Sequence, residues 1–282
     1  MYLSLSTHLF VYHEFDTTFI DIAAESGVRA MEIFAVNPHF PYRDRRFVGK
    51  VMRRCEKRDI RIVSVHSPLY MHIDDIRKNR WFSLSSEDEE LRERTIEETI
   101  AASMLLTEGE EGILVVHTSI PGEERGGPHT FLFLDSVKRI LEKIPRGVRV
   151  AIENSTTSSG TAMATIDIAG SFPAGRVGVC IDVGHAHVGE SAPSAIMAAS
   201  NRLLNVHCSD NEGDEDDHLI PGEGTLDWHR VIKALRSAAY EGPLTMEIRD
   251  TLRGIEKDYS SFGKIIERSI SFLTGIVEHH GG

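Results

Sequence analysis

Cysteine is scarce in this chain, and the little there is argues against a disulfide framework. The three residues, Cys55, Cys180 and Cys208, are odd in number and show no CxxC spacing, and two of them sit inside apolar runs. That is the usage of a reducing compartment, so a cytoplasmic protein is expected. Long hydrophobic stretches are also missing. None approaches the roughly 18 consecutive apolar residues of a membrane span. The opening MYLSLSTHLFVYHEFD has no basic n-region and reads as a strand and loop rather than a signal peptide. Positive charge is in deficit, with 31 Lys and Arg against 43 Asp and Glu for a formal net charge of −12. This balance opposes non-specific attraction to nucleic acid, which relies on phosphate neutralisation. The basic stretch Arg43, Arg45, Arg46, Lys50, Arg53, Arg54 has the spacing of one solvated helix face. No GxGxxG follows the first strand and no GxSxG occurs, which removes the usual signals of a dinucleotide fold and of a serine hydrolase.

What the chain does have is apolar runs that stop on polar ligands. Six in succession read RIVSVHSP, ILVVHTS, VRVAIENS, VGVCIDVGH, LLNVHCSD and PLTMEIRD, ending near His66, His117, Glu153, Asp182, His207 and Glu247. Each has the length and composition of a strand buried on both faces. Two earlier strands, Leu3–Ser6 and Ala30–Phe34, precede them. Helical patterns alternate with the strands: near Asp16–Glu25 (closed by Gly27), Arg45–Arg58, from a Ser85 or Ser86 cap through an acidic EDEE turn to Thr107, and Phe131–Ile144. Others follow near Ala162–Gly170, Pro193–Asn201, Asp227–Tyr240 and Glu256–Val277. Eight strand–helix units in 282 residues, with no flexible linker between them, predict one (β/α)8 TIM barrel spanning residues 1–282, in the α/β class.

In such a barrel the carboxyl ends of the strands form the mouth, so Glu153, Asp182, His207 and Glu247, from four neighbouring strands, converge. Three carboxylates about 5 Å apart repel one another by roughly 3 kcal/mol per pair at an effective dielectric near 20. Protons or a cation must relieve that, and three carboxylates with one imidazole suit a divalent ion such as Zn, Mn, Co or Mg. His66, His117, His185, Asp216 and His218 either extend the cluster to further metals or contact a substrate; spacing leaves both readings open. PGEERGGPH reads as a Gly/Pro-rich loop, and the acidic run at Asp214–Asp217 is a functional-loop candidate. His8 and His187 read as structural or supporting groups. The thiols of Cys180 and Cys208 read as turned away from the ligands or buried among apolar neighbours, and inert.

The pieces IEN at 152–154, CIDVGH at 180–185, HCSDN at 207–211, DDHLIPGEGTLDW at 216–228 and MEI at 246–248 resemble the xylose isomerase-like barrel superfamily. It includes sugar and sugar-phosphate isomerases and epimerases, and the endonuclease IV type of abasic-site endonuclease (AP endonuclease family 2). For the epimerase branch, the resemblance implies one divalent metal on Glu153, Asp182, His207 and Glu247. Glu153 and Glu247 would act as acid and base through an enediolate. His185, His218, Arg249 and Glu32 would be substrate contacts. For the endonuclease branch it implies three zinc ions on His66, His117, Glu153, Asp182, His185, His207, Asp216, His218 and Glu247. Asp227 stands where those endonucleases usually have glycine, and Ile-Arg-Asp follows Glu247 where they have Thr-Pro, so the sequence favours a small carbohydrate substrate over abasic DNA. A non-catalytic sugar-binding barrel is the third reading, and the paired glutamates argue against it. Barrels of this kind often pair, so a homo-oligomer is compatible; no membrane partner is expected.

Overall fold

In a computed structural model of the chain, the described residues are 1–106, 111–118, 128–157, 160–249 and 259–279. Eight parallel strands close into a barrel in sequence order: β1 (Tyr2–Ser6), β2 (Ala30–Phe34), β3 (Arg61–His66), β4 (Gly112–His117), β5 (Val148–Glu153), β6 (Val177–Asp182), β7 (Leu203–Cys208) and β8 (Pro243–Met246). Parallel strands need helical crossovers, and these form the outer ring. The helices are α1 (Thr17–Glu25), α2 (Arg45–Lys57), α3 (Glu89–Ser103), α4 (Pro128–Lys143), α5 (Ala162–Gly170), α6 (Val183–Gly189), α7 (Ala192–Ala199), α8 (Trp228–Ser237) and α9 (Tyr259–His279). The expected (β/α)8 barrel is therefore observed. No helix among the described residues is long and apolar enough to cross a membrane.

Helix starts are set largely by aspartate. Asp16, Asp44, Asp88 and Asp227 each place a carboxylate oxygen on a free amide of the first turn, which also suits the positive helix terminus. This corrects the expected serine cap of α3. Asp88 accepts from the amides of Glu90 and Leu91 at 3.0 and 3.2 Å, while Ser86 Oγ accepts from Asp88 N one step earlier. The helix ends at Ser103, short of the expected Thr107, which lies outside the described residues, as do residues 256–258 ahead of α9 and most of PGEERGGPH. Between β6 and the helix expected near Pro193, where the sequence pattern predicts no helix, residues 183–189 form the short helix α6. Asp182 caps it, its Oδ1 accepting from His185 N at 2.7 Å.

The main core lies between the outer barrel face and the helices, packing residues such as Phe10, Phe19, Phe133 and Phe262. A smaller cluster of Ile113, Val115, Ala151, Cys180 and Leu204 is separate from it. Cys180 thus does not turn away from the ligands. It sits two residues before Asp182, so strand alternation puts both side chains on the inward face. Its sulfur lies within 4.8 Å of ligand atoms of Glu153 and His207. Burial pushes its thiol well above the usual range, so it stays an inert thiol. Two members of the basic stretch, and Arg58 beyond it, are held in ion pairs on the flank, while Arg45, Arg46, Lys50 and Arg53 are exposed. Arg54 pairs with Asp21 of α1 at 2.5 Å, Arg58 with Asp21 and Glu25, and Arg43 with Glu98 of α3 at 2.8 Å.

Candidate metal and active site

The strand ends deliver the side chains together. Glu153, Asp182, His207 and Glu247 each offer an atom to one group whose members lie within 4.8 Å of one another, all buried. His207 is its centre: Nδ1 stands 2.9 Å from Glu153 Oε1 and 2.8 Å from Glu247 Oε2. Two further triads adjoin it. His66, His117 and Glu153 form one, and His185, Asp216 and His218 the other. All nine side chains singled out as ligands are therefore brought to one mouth.

Hydrogen bonds orient the histidines. The Nδ1 of His66 meets Ser67 O at 2.9 Å, that of His185 meets Asn154 O at 2.8 Å, and that of His218 meets Glu247 O at 2.9 Å. A carbonyl only accepts, so each Nδ1 carries a proton, and each ring, when neutral, presents its lone pair at Nε2. Those nitrogens face carboxylate oxygens: His66 stands by Glu153 Oε2 (3.2 Å) and also meets His117 Nε2 (3.1 Å), and His185 and His218 stand by Asp216 Oδ2 (3.1 and 3.3 Å). His117 Nε2 is 3.1 Å from the same Glu153 oxygen. Acceptors facing acceptors need a cation or added protons between them. Glu153 Oε2 and Asp182 Oδ2 are buried with no hydrogen-bond partner, a second sign that the donor set fits a divalent ion.

The electrostatics agree. Burial opposes charge throughout, but the neighbouring carboxylates overcome it and raise His185 and His207 well above the usual imidazole range, and His218 to about 10. The imidazoles in turn hold Glu153, Glu247 and Asp216 below the usual carboxylate range despite burial. His8 behaves oppositely. Burial lowers it to about 4, so it lines the cavity as a neutral ring, packed on Phe34 and His218.

The loop after β7 carries Asp216 and His218 and is pinned by Asp210, a buried residue that sequence reasoning had not picked out. Its carboxylate accepts from Gly222 N (2.8 Å), Leu226 N (3.2 Å) and Trp228 Nε1 (2.8 Å). His218 has φ +48°, a left-handed conformation costly for a non-glycine residue, held because its carbonyl accepts from Arg249 N at 2.8 Å. His187 braces the loop through Thr225 Oγ1 at 3.0 Å. Asn154, which the apolar-run pattern does not single out, clamps β5 to β6 by exchanging two hydrogen bonds with the Asp182 backbone.

Two expected substrate contacts do not line the cavity. Glu32 is not at the end of β2. It pairs with Ser64, two residues before His66, so it sits one inward-facing layer below the mouth, fully buried, and does not line the cavity. Arg249 follows the end of β8, where strand alternation no longer aims it. Its guanidinium stands 3.6 Å from Asp217 and its side chain is 42% exposed. Phe34, Leu69 and Trp81 form an apolar wall of the cavity, which is about 200 Å³. Phe34 was the residue to find, because it is the one that ends β2.

Comparison with known proteins places this geometry. A protein of Methanocaldococcus jannaschii, MJ1311, is 24% identical over 261 residues, covering 86% of this chain and 84% of that one. The D-psicose 3-epimerase of Enterocloster bolteae is 31% identical over 88 residues, 31% of this chain and 28% of that protein. The structure of D-psicose 3-epimerase with D-tagatose from Clostridium cellulolyticum H10 superposes with a TM-score of 0.74 at 15% identity, over 98% of this chain and 99% of that one, a likeness of fold. The family described as xylose isomerase-like TIM barrel matches residues 20–274, nearly the whole of the barrel whose mouth is built above, and the chain belongs to that family.

Proposed function

We propose that the chain is a divalent-metal-dependent epimerase or isomerase of a small sugar or sugar derivative, with Glu153 and Glu247 as its proton-transfer pair. The observation that carries this is the approach of both glutamates to His207 Nδ1, at 2.9 and 2.8 Å, where both carboxylates line a cavity of about 200 Å³. A divalent ion on Glu153, Asp182, His207 and Glu247 would supply Lewis acidity toward a carbonyl and its neighbouring hydroxyl. The chain's own groups do the rest. Glu153 comes from β5 and Glu247 from the end of β8, so one carboxylate takes the proton from the carbon beside the carbonyl and the other returns it. The Phe34, Leu69 and Trp81 wall keeps water from the exchange, and His8, a neutral ring, offers a hydrogen-bond partner to a hydroxyl. The likeness to sugar 3-epimerases in sequence and in fold supports the reading.

A zinc phosphodiesterase acting on abasic DNA is the second reading, favoured by the two extra triads around His66 and Asp216. Against it stand the net charge of −12, the small cavity, and the engagement of Arg43, Arg54 and Arg58 in intrachain ion pairs. The test is incubation of the purified protein with a ketose panel in deuterated water, with elemental analysis of bound metal. Epimer formation with deuterium at the exchanged carbon, and about one metal per chain, is expected. Incision of an abasic duplex that stops on chelation, with three metals per chain and no exchange into any sugar, would overturn it.

A further inference from the structure

Glu32 is a wholly buried carboxylate outside the cavity, and its surroundings are organised around one oxygen. Oε2 accepts from Ser64 Oγ at 2.8 Å and from Asn205 Nδ2 at 3.1 Å, and lies 3.2 Å from His207 Nε2, closer to it than the Asn205 amide nitrogen at 3.3 Å. Asn205 cannot reverse its amide, because its Oδ1 accepts from Val206 N and from Thr245 Oγ1, both at 2.9 Å. The other oxygen, Oε1, is buried without a partner. A fold has little need of such a group, since burying a carboxylate is costly and an apolar side chain of similar volume often serves stability as well or better.

What Glu32 can do is settle a competition on the His207 ring. Nδ1 faces two carboxylates, Glu153 and Glu247, at 2.9 and 2.8 Å, and on their own they would draw the ring proton to that nitrogen. A ring with its proton there has no lone pair to give a cation at the mouth. A carboxylate at Nε2 draws the proton to the opposite nitrogen and frees Nδ1, as buried carboxylates behind metal-binding histidines do. We propose that Glu32 is a positioning residue that holds His207 in the tautomer with the proton on Nε2 and the lone pair of Nδ1 directed at the divalent ion. The proposal rests on the reading of His207 as a metal ligand, not on the identity of the substrate.

The test uses the metal alone. Mn²⁺ affinity of the full chain is measured by competition with a chelating indicator for the parent, Glu32→Gln and His207→Ala, and melting of each chelated protein is followed alongside. Glu32→Gln is expected to weaken Mn²⁺ binding about 10- to 100-fold while the chelated protein melts close to the parent. Affinity within twofold of the parent, with His207→Ala still strongly impaired, overturns the role of Glu32 and leaves the metal reading intact. Binding unaffected by His207→Ala, or none in the parent, overturns both. A measurement on the unsubstituted chain serves if Glu32→Gln does not fold. The ¹⁵N shifts of His207 in the Zn²⁺-loaded protein should show a protonated Nε2 and a metal-bound Nδ1, and the reverse assignment overturns the proposal.

Discussion

Glu247→Gln should separate function from stability. In the absence of a divalent ion, the Glu247 carboxylate gains from an imidazolium at His207 and loses to two like charges. At 2.8 Å and an effective dielectric near 20, the attraction is roughly 6 kcal/mol. Glu153 and Asp182 lie within 4.8 Å, and each repels it by roughly 3 kcal/mol. Burial of the carboxylate opposes the charge as well, and His207 outweighs the sum by a small margin, so the chelated variant should fall below the chelated parent by no more than about 2 kcal/mol, or about 4–8 °C in melting temperature. With the ion present the cancellation ends, because the divalent charge makes every carboxylate favourable. Losing one anionic ligand should then weaken metal binding by at least about 100-fold, equivalent to about 3 kcal/mol. Deuterium exchange into the sugar should disappear. Melting scans of parent and variant, with chelator and with Mn²⁺, read the first two quantities, and proton NMR of the sugar reads the third. A chelated variant that melts far below the parent would make Glu247 a structural residue. Turnover near the parental level would remove it from proton transfer.

His39 gives the acid limit of the fold. Burial lowers it to about 4 from 6.5, and its Nδ1 donates to His13 O at 2.9 Å. A depressed histidine contributes stability that is fully present above pH 6.5 and lost as pH falls toward 4. That amounts to about 3 kcal/mol, and His39→Gln should flatten the melting profile between pH 7 and 4.5; an unchanged slope would refute it. Gly224→Ala would set a Cβ 2.3 Å from Asn211 O and 2.4 Å from Asp210 Oδ1, so the loop bearing Asp216 and His218 must shift. A loss of about 1–3 kcal/mol, together with weakened metal binding, is the expected outcome, and a calorimetric scan matching the parent would refute it. Charge reversal at the exposed Arg46, Lys50 and Arg53 of α2 should leave sugar turnover unchanged. A fall of more than fivefold would return a role to that face.

The barrel was legible because burial on both faces makes each parallel strand a continuous apolar run, and the run ends where the mouth begins. The same pattern located His66, His117, Glu153, Asp182, His207 and Glu247. Depth along a strand was not legible for Glu32, because it depends on the stagger between neighbours, and the β2–β3 pairing shifts register between Met31 and Glu32. Helix α6 escaped because VGHAHVG is seven residues with a glycine near each end, and the group that starts it is the candidate ligand Asp182. Histidine tautomers escaped for a further reason. They are set by carbonyls of Ser67, Asn154 and Glu247, and backbone direction leaves no mark on residue type.

Glu153 joins the two halves of the mouth, and this gives the metal count a chemical meaning. Its Oε1 faces His207, whereas its Oε2 faces His66 and His117. With one ion, shared with Asp182, His207 and Glu247, the second oxygen keeps a lone pair that can take a proton from carbon. With a further ion on His66 and His117, that lone pair is committed, and a carboxylate bridging two cations is a poor base. Glu247 has no such second duty, since its side chain meets His207 and only its backbone carbonyl serves His218. The proposed proton-transfer role of Glu153 and Glu247 therefore requires the His66–His117 side to stay open to substrate, while the alternative phosphodiester hydrolysis requires it filled. One set of nine side chains supports either chemistry, and the occupancy of that one oxygen decides between them.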